Sequence, residues 1–199
     1  MATVIAVTSG KGGTGKSAIC SGMGYALAKQ GSRTLIIELD FGLRCLDIML
    51  GVKNIIKHDL GDVLAGKCDI LAASTQIQMA QNLSIVCAPE DPYATLDAEQ
   101  IKEICESMRK YYDYIIIDTS PVGLVGDIYS LFKQVDQTIY VVSCEKTNKT
   151  FFKNTIKQLQ AHNTHNVNIV FNNVNLKKME YSAYYHNSYG YYGGNYGKG

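Results

Sequence analysis

The sequence predicts an α/β domain, a doubly wound and mostly parallel sheet flanked by helices. Apolar runs alternate with helical patterns along most of the chain, the order that gives a parallel sheet. The runs are near-continuous Val and Ile rather than alternating with polar residues, the pattern of strands covered on both faces. A loop rich in glycine and lysine stands between the first run and the first helical pattern, at the carboxyl end of a strand where sheets of this kind bind ligands.

Residues 3–8 read as a buried strand. Residues 17–30 read as a helix with Ile19, Met23 and Leu27 on one face and Gly31 as its stop. A second strand follows at 34–39, then a loop or broken helix at 40–51 and a short helix at 59–66. Residues 82–88 form a strand, and 97–111 a helix capped by Asp97 with Glu99 and Gln100 behind it. Strands are expected at 114–118 and 137–143, a helix at 147–162 and a last strand at 167–171. The domain spans 1–176. Residues 177–199 read as a flexible tail, because tyrosines separated by glycine and asparagine show no period and bury no core.

The window from Gly10 to Ser17 fits G-x-x-x-x-G-K-[ST]. Gly10, Gly12, Gly13 and Gly15 let the backbone curl so that successive N–H groups, including those of Thr14 and Ala18, face phosphate oxygens. The positive end of the following helix adds to that field. Lys16 can reach the β- and γ-phosphates, and the Ser17 hydroxyl can ligate Mg²⁺. A second lysine, Lys11, leads the loop, where an ordinary phosphate loop needs one. A glycine-rich turn that binds nothing does not explain two lysines beside four glycines.

Two carboxylates extend this site. The run Ile115-Ile116-Ile117-Asp118 delivers Asp118 to the sheet's carboxyl edge, where it can hold a water of the Mg²⁺ shell. Beyond it, Gly123 and Gly126 leave a loop able to respond to the γ-phosphate. Asp40 emerges from the second strand beside the phosphates and can orient the attacking water, which is the main task in phosphoryl transfer. It can also belong to the Mg²⁺ shell with Ser17 and Asp118, and Glu38 is near enough to touch that shell.

K-G-G-T-G-K-S resembles the deviant Walker A motif, K-G-G-x-G-K-[ST], of the MinD/ParA ATPase family, and Asp40–Gly51 is similar to that family's first switch. The match runs through most of residues 2–175. It implies Mg²⁺ and ATP as ligands and an ATP-bound homodimer in which Lys11 reaches the partner's nucleotide. Lys16 and Ser17 would bind phosphate and Mg²⁺, Asp40 would position water and Asp118 would be the Walker-B residue. Asn172 would take the family's adenine-reading position, with Asn173 the alternative register. An unidentified activator or cargo protein would complete a cycle of spatial organisation, such as division-site placement or partitioning.

The second half also resembles bacterial tyrosine kinases of capsule synthesis. I-I-I-D-T-S-P-V is similar to their I-I-I-D-T-P-P-V, and seven of the chain's 14 tyrosines lie in the tail. Tyr181, Tyr184, Tyr185, Tyr189, Tyr191, Tyr192 and Tyr196 are therefore candidate phosphoacceptors. The kinases' ring-forming E-x-x-R-x-x-R is absent; Glu106-x-x-Arg109 continues to Tyr112. A third reading is a scaffold in which nucleotide is structural and the tail adhesive.

Composition narrows the partners. A net charge of +1 gives no global drive toward nucleic acid or anionic lipid. Lys146, Lys149, Lys153 and Lys157 recur at helical spacing, either as a solvated face or as a weak dock for anionic lipid or DNA. No apolar stretch approaches the ~20 residues that span a bilayer, and no amphipathic anchor is seen. The six cysteines are scattered, as in a reduced protein. The expected location is cytoplasmic, peripheral at most at the inner membrane face.

Overall fold

The computed structural model describes residues 2–41, 44–91, 94, 96–122, 128–162, 164 and 166–175. A seven-stranded sheet runs through them in the order β3-β4-β2-β5-β1-β6-β7. Its strands are β1 (Thr3–Ser9), β2 (Thr34–Leu39), β3 (Thr75–Gln76), β4 (Leu83–Val86), β5 (Tyr114–Thr119), β6 (Gln137–Ser143) and β7 (Val167–Asn172). All pairings are parallel except that of the two-residue edge strand β3 with β4. The doubly wound, mostly parallel fold is as expected from the apolar runs.

The runs are buried on both sides. Leu35, Ile37, Ile115 and Ile117 join one core cluster with Tyr140 and Val142, while Ile36, Ile116 and Val141 join the other. Helices α3 (Leu60–Leu64), α4 (Ile70–Ala73), α5 (Ala98–Met108), α6 (Ile128–Phe132) and α7 (Lys149–Ala161) pack on the first cluster; α1 (Lys16–Lys29) and α2 (Leu46–Met49) cover the second. The Asp97 side chain accepts from Gln100 N–H and the Gln100 side chain closes the capping box of α5. Asn148 caps α7, so that helix starts after the expected 147.

Helix α1 departs from expectation in its buried face. Lys16, Cys20, Gly24 and Ala28 face the sheet; Ile19, Met23 and Leu27 flank that line and are partly buried. The cause is close approach: a Cβ on Gly24 would lie 2.8 Å from Ile36 Cδ1, so large side chains are displaced to the sides. Gly31, at φ 92°, ends the helix as expected. Glu106 and Arg109 form an i,i+3 pair, and Arg109 also bonds Asp136 and the Ala2 carbonyl, tying α5 to the sheet's amino edge.

The sheet order puts the carboxyl end of β1 between β5 and β6. The chain winds from β1 to one side through β2 and β4, and to the other through β6 and β7. The crevice at that reversal is where open α/β sheets hold ligands. The loop of residues 10–15 fills it. No helix among the described residues is long and apolar enough to cross a membrane. The proposed tail tyrosines from Tyr181 to Tyr196, the domain boundary at 176/177 and the loop with Gly123 and Gly126 lie outside the described residues.

Candidate functional site

The phosphate loop is built from backbone conformations that only glycine adopts freely. Gly13 and Gly15 have φ of 71° and 98°. Gly15 is the N-cap of α1 and gives no side-chain cap, and the first turn contains no acidic residue. The first N–H groups of α1, Ala18's among them, therefore have no internal partners and their positive field is not neutralised. Three contacts brace the loop from outside. A Cβ on Gly10 would overlap Phe151 and the Tyr140 hydroxyl, and one on Gly15 would overlap the Asn172 amide. Asn172 Nδ2 donates to the Thr14 carbonyl at 2.8 Å. Gly12 faces open space.

Asn172 thus stands against the loop, whereas Asn173 Nδ2 turns away to Ser143 Oγ at 3.2 Å. Of the two registers considered for the nucleotide-facing asparagine, Asn172 is the one beside the phosphate loop.

The charged residues converge from the start of α1 and the ends of β2 and β5. Lys16 Nζ, nearly buried, lies 3.7 Å from Asp40 Oδ2, just beyond β2. Asp40 Oδ1 accepts from the Ser120 hydroxyl at 3.1 Å, a partner that the sequence had not singled out. Ser17 Oγ donates to Asp118 Oδ2 at 2.6 Å. Asp118 is fully buried, and its Oδ1 has no hydrogen-bond partner among the described residues. Burial pushes the Asp118 carboxyl up to about 6, against the pull of the Ser17 hydroxyl, the Lys16 ammonium and the neighbouring Cys20 thiol. A strained acid of this kind gains most from a cation at Oδ1. A serine hydroxyl with a carboxylate is a hard oxygen donor set suited to Mg²⁺. The residues present therefore fit the ion expected from the sequence.

Lys11 is exposed, and its side chain has no ion-pair partner among the described residues. Its carbonyl accepts from Ser9 Oγ at 2.8 Å.

Glu38, the register partner of Asp118, has its carboxylate engaged by backbone. Both its oxygens accept backbone N–H groups, from Cys45 at 2.8 Å, Leu46 at 3.0 Å and Ala88 at 3.4 Å. It is a fully buried clamp that ties the stretch after Asp40 to the end of β4, and burial raises its carboxyl above the usual range. Arg44 continues the tie, reaching Asp47 at 3.2 Å and Asp59 at 3.3 Å. The four lysines at helical spacing do not share one helix face. Lys149, Lys153 and Lys157 lie exposed on α7, but Lys146 precedes its cap and points elsewhere. A Cβ on Gly13 would lie 3.1 Å from Lys146 Nζ.

Comparison with known proteins agrees with this geometry. A family model described as "AAA domain" matches residues 2–169. The septum site-determining protein MinD of Synechocystis is 32% identical over 181 residues, covering 90% of this chain and 68% of that protein. That of Helicobacter pylori is 34% identical, over 73% of this chain and 54% of its own length, so the chain spans roughly half to two thirds of these relatives. Among solved structures, the MinC:MinD cell division complex of Aquifex aeolicus matches with a TM-score of 0.80 at 29% identity, over 92% of this chain and 73% of that one. MinD from Pyrococcus horikoshii complexed with Mg-ADP matches at a TM-score of 0.71 and 28% identity, over 86% and 69%. The kinase domain of the Escherichia coli tyrosine kinase ETK shares the fold at a TM-score of 0.75, with 19% identity over 86% and 68%. On these matches, and on the lysine-led loop they span, the chain belongs to the MinD/ParA family of deviant Walker A ATPases.

Proposed function

We propose that the chain binds ATP with Mg²⁺ and hydrolyses it as a homodimer, and that this cycle switches the binding of a protein partner in spatial organisation. The observation that carries the reading is the meeting of Lys16, Ser17, Asp40 and Asp118 from separate elements around one glycine-rich loop. The open N–H groups of α1 and Lys16 hold the β- and γ-phosphates. Ser17 and Asp118 would hold Mg²⁺, which neutralises charge on the phosphate oxygens. Asp40 orients a water in line with the γ-phosphorus. The bond from water oxygen to phosphorus forms as the bridge to the β-phosphate breaks, giving ADP, phosphate and a proton. Asn172, beside the loop, faces the base. Lys11, exposed at the front of the loop, reaches the nucleotide of the facing copy.

This reading separates two variants. Lys11→Ala should lose both ATP-dependent association and turnover, whereas Asp40→Ala should still bind ATP and associate but release phosphate at least roughly a hundredfold more slowly. Phosphate release measured on both proteins checks this. Wild-type turnover in Lys11→Ala would refute the shared site.

The tyrosine-rich end favours a second reading, autophosphorylation, in which a tyrosine hydroxyl replaces water as the nucleophile. Mass spectrometry of residues 181–199 after incubation with Mg-ATP tests it. Absence of phosphotyrosine above a Lys16→Ala control would remove it.

A further inference from the structure

The turn between β6 and α7 is held firmly at its backbone. Ser143 N–H donates to Thr147 Oγ1 at 2.9 Å, Thr147 N–H returns to the Ser143 carbonyl at 2.9 Å, and Lys146 N–H donates to Ser143 Oγ at 3.3 Å. Cys144 N–H bonds the Asn172 carbonyl at 3.0 Å, which locks the turn to the strand that braces the phosphate loop. Lys146 projects from this fixed base, and its ammonium ends beside Gly13, at 3.1 Å from where a Cβ would stand.

No carboxylate among the described residues lies within ion-pair distance of Lys146 Nζ. The ammonium therefore stands unpaired beside a loop that already carries Lys16, the exposed Lys11 and the positive end of α1, with Asp40 the carboxylate that pairs with Lys16. Like charges gathered at one mouth repel unless an anion sits among them. Their number suits a polyphosphate better than a single carboxylate.

We propose that Lys146 is a further phosphate-binding residue of the nucleotide site, acting within its own subunit. This rests on the ATP-binding reading above and extends it. Lys11 serves the facing copy, while Lys146 comes from the same chain as the loop it touches, so its contribution needs no dimer. Lysine supplies a point charge on a flexible stem, adequate for a phosphate oxygen without fixed fork geometry.

The test separates the two lysines by working in a Lys11→Ala background, where association is lost and nucleotide still binds through Lys16. Isothermal titration with Mg-ATP compares Lys11→Ala with Lys11→Ala/Lys146→Gln and Lys11→Ala/Lys146→Arg. The glutamine variant should raise the dissociation constant about tenfold, one charge-assisted contact's worth. The arginine variant should restore it to within about threefold, since the charge is kept. The unfolding midpoint without nucleotide should be the same in all three, because the side chain is exposed. A glutamine variant that binds Mg-ATP within twofold of its parent overturns the role of Lys146 and leaves the ATPase reading standing. A wild-type chain that binds no Mg-ATP at all overturns both.

Discussion

Asp118→Asn should lower ATP turnover by at least roughly a hundredfold and at the same time make the nucleotide-free protein more stable at pH 7.5. Both effects come from one burial. The native carboxyl is pushed up to about 6 from its ordinary 3.8, chiefly by desolvation. Between those values the native state holds the proton more tightly than the unfolded chain does. The stability this contributes is full below about 3.8 and is lost as pH rises through about 6. Above that, the buried carboxylate is a liability of about 3 kcal/mol in the ion-free protein. Asparagine removes the charge and can still accept from Ser17. Thermal unfolding of wild type and Asp118→Asn at pH 7.5 and pH 4.5 reads this out. The variant's advantage should be clear at the higher pH and largely gone at the lower. Turnover moves the other way, because the amide is a much poorer oxygen donor to Mg²⁺ than a carboxylate. A variant that is both active and no more stable would place Asp118 outside the site. The acid is kept at a cost in stability, a pattern common where function requires an unsatisfied group.

Gly15→Ala should abolish measurable ATP binding while destabilising the fold by about 1–3 kcal/mol. The position has φ of 98°, a region L side chains rarely adopt. A Cβ there would also overlap the amide of Asn172, which is not free to swing away because it is bonded to the Thr14 carbonyl. Relief requires either breaking that bond or turning the peptide that aims the first N–H groups of α1 at phosphate. Either route takes apart the cradle. Gly12→Ala is the natural control, since a Cβ on Gly12 meets nothing within 4 Å. It should leave the fold's stability nearly unchanged. Calorimetric titration with Mg-ATP, together with urea unfolding, distinguishes loss of the cradle from loss of the fold. Tight Mg-ATP binding in Gly15→Ala would contradict the loop's proposed role.

The gathering of Lys16, Ser17, Asp40 and Asp118 at the sheet edge is legible in the sequence because short-range patterns encode it. A buried strand, a glycine loop and a helix follow one another in a single stretch, and Asp118 ends an unbroken isoleucine run. The small elements were not legible. Helices α4 and α6 and strand β3 have 4, 5 and 2 residues, too few to show a period. The inner face of α1 was misjudged because large apolar residues mark a buried face only where there is room for them. Here Cys20, Gly24 and Ala28 take the innermost line, and Ile19, Met23 and Leu27 cover the flanks. Glu38 lies close to the metal-shell candidates in sequence, but its engagement by backbone is not visible there. Its three backbone partners come from Cys45, Leu46 and Ala88, and the last lies 50 residues away. Lys146 keeps helical spacing to Lys149, Lys153 and Lys157 without belonging to their helix. The cap at Asn148 starts the helix after Lys146, and only tertiary placement reveals its neighbour Gly13.

If the leading lysine reaches across to a second copy, a nucleoside triphosphate should join two chains. Light scattering during size-exclusion chromatography of Asp40→Ala, run in saturating Mg-ATP and again in Mg-ADP, tests it most directly. The mass should double in ATP, return to that of one chain in ADP, and never double when Lys11→Ala is added. A mass that stays at one chain while calorimetry shows ATP bound would contradict it.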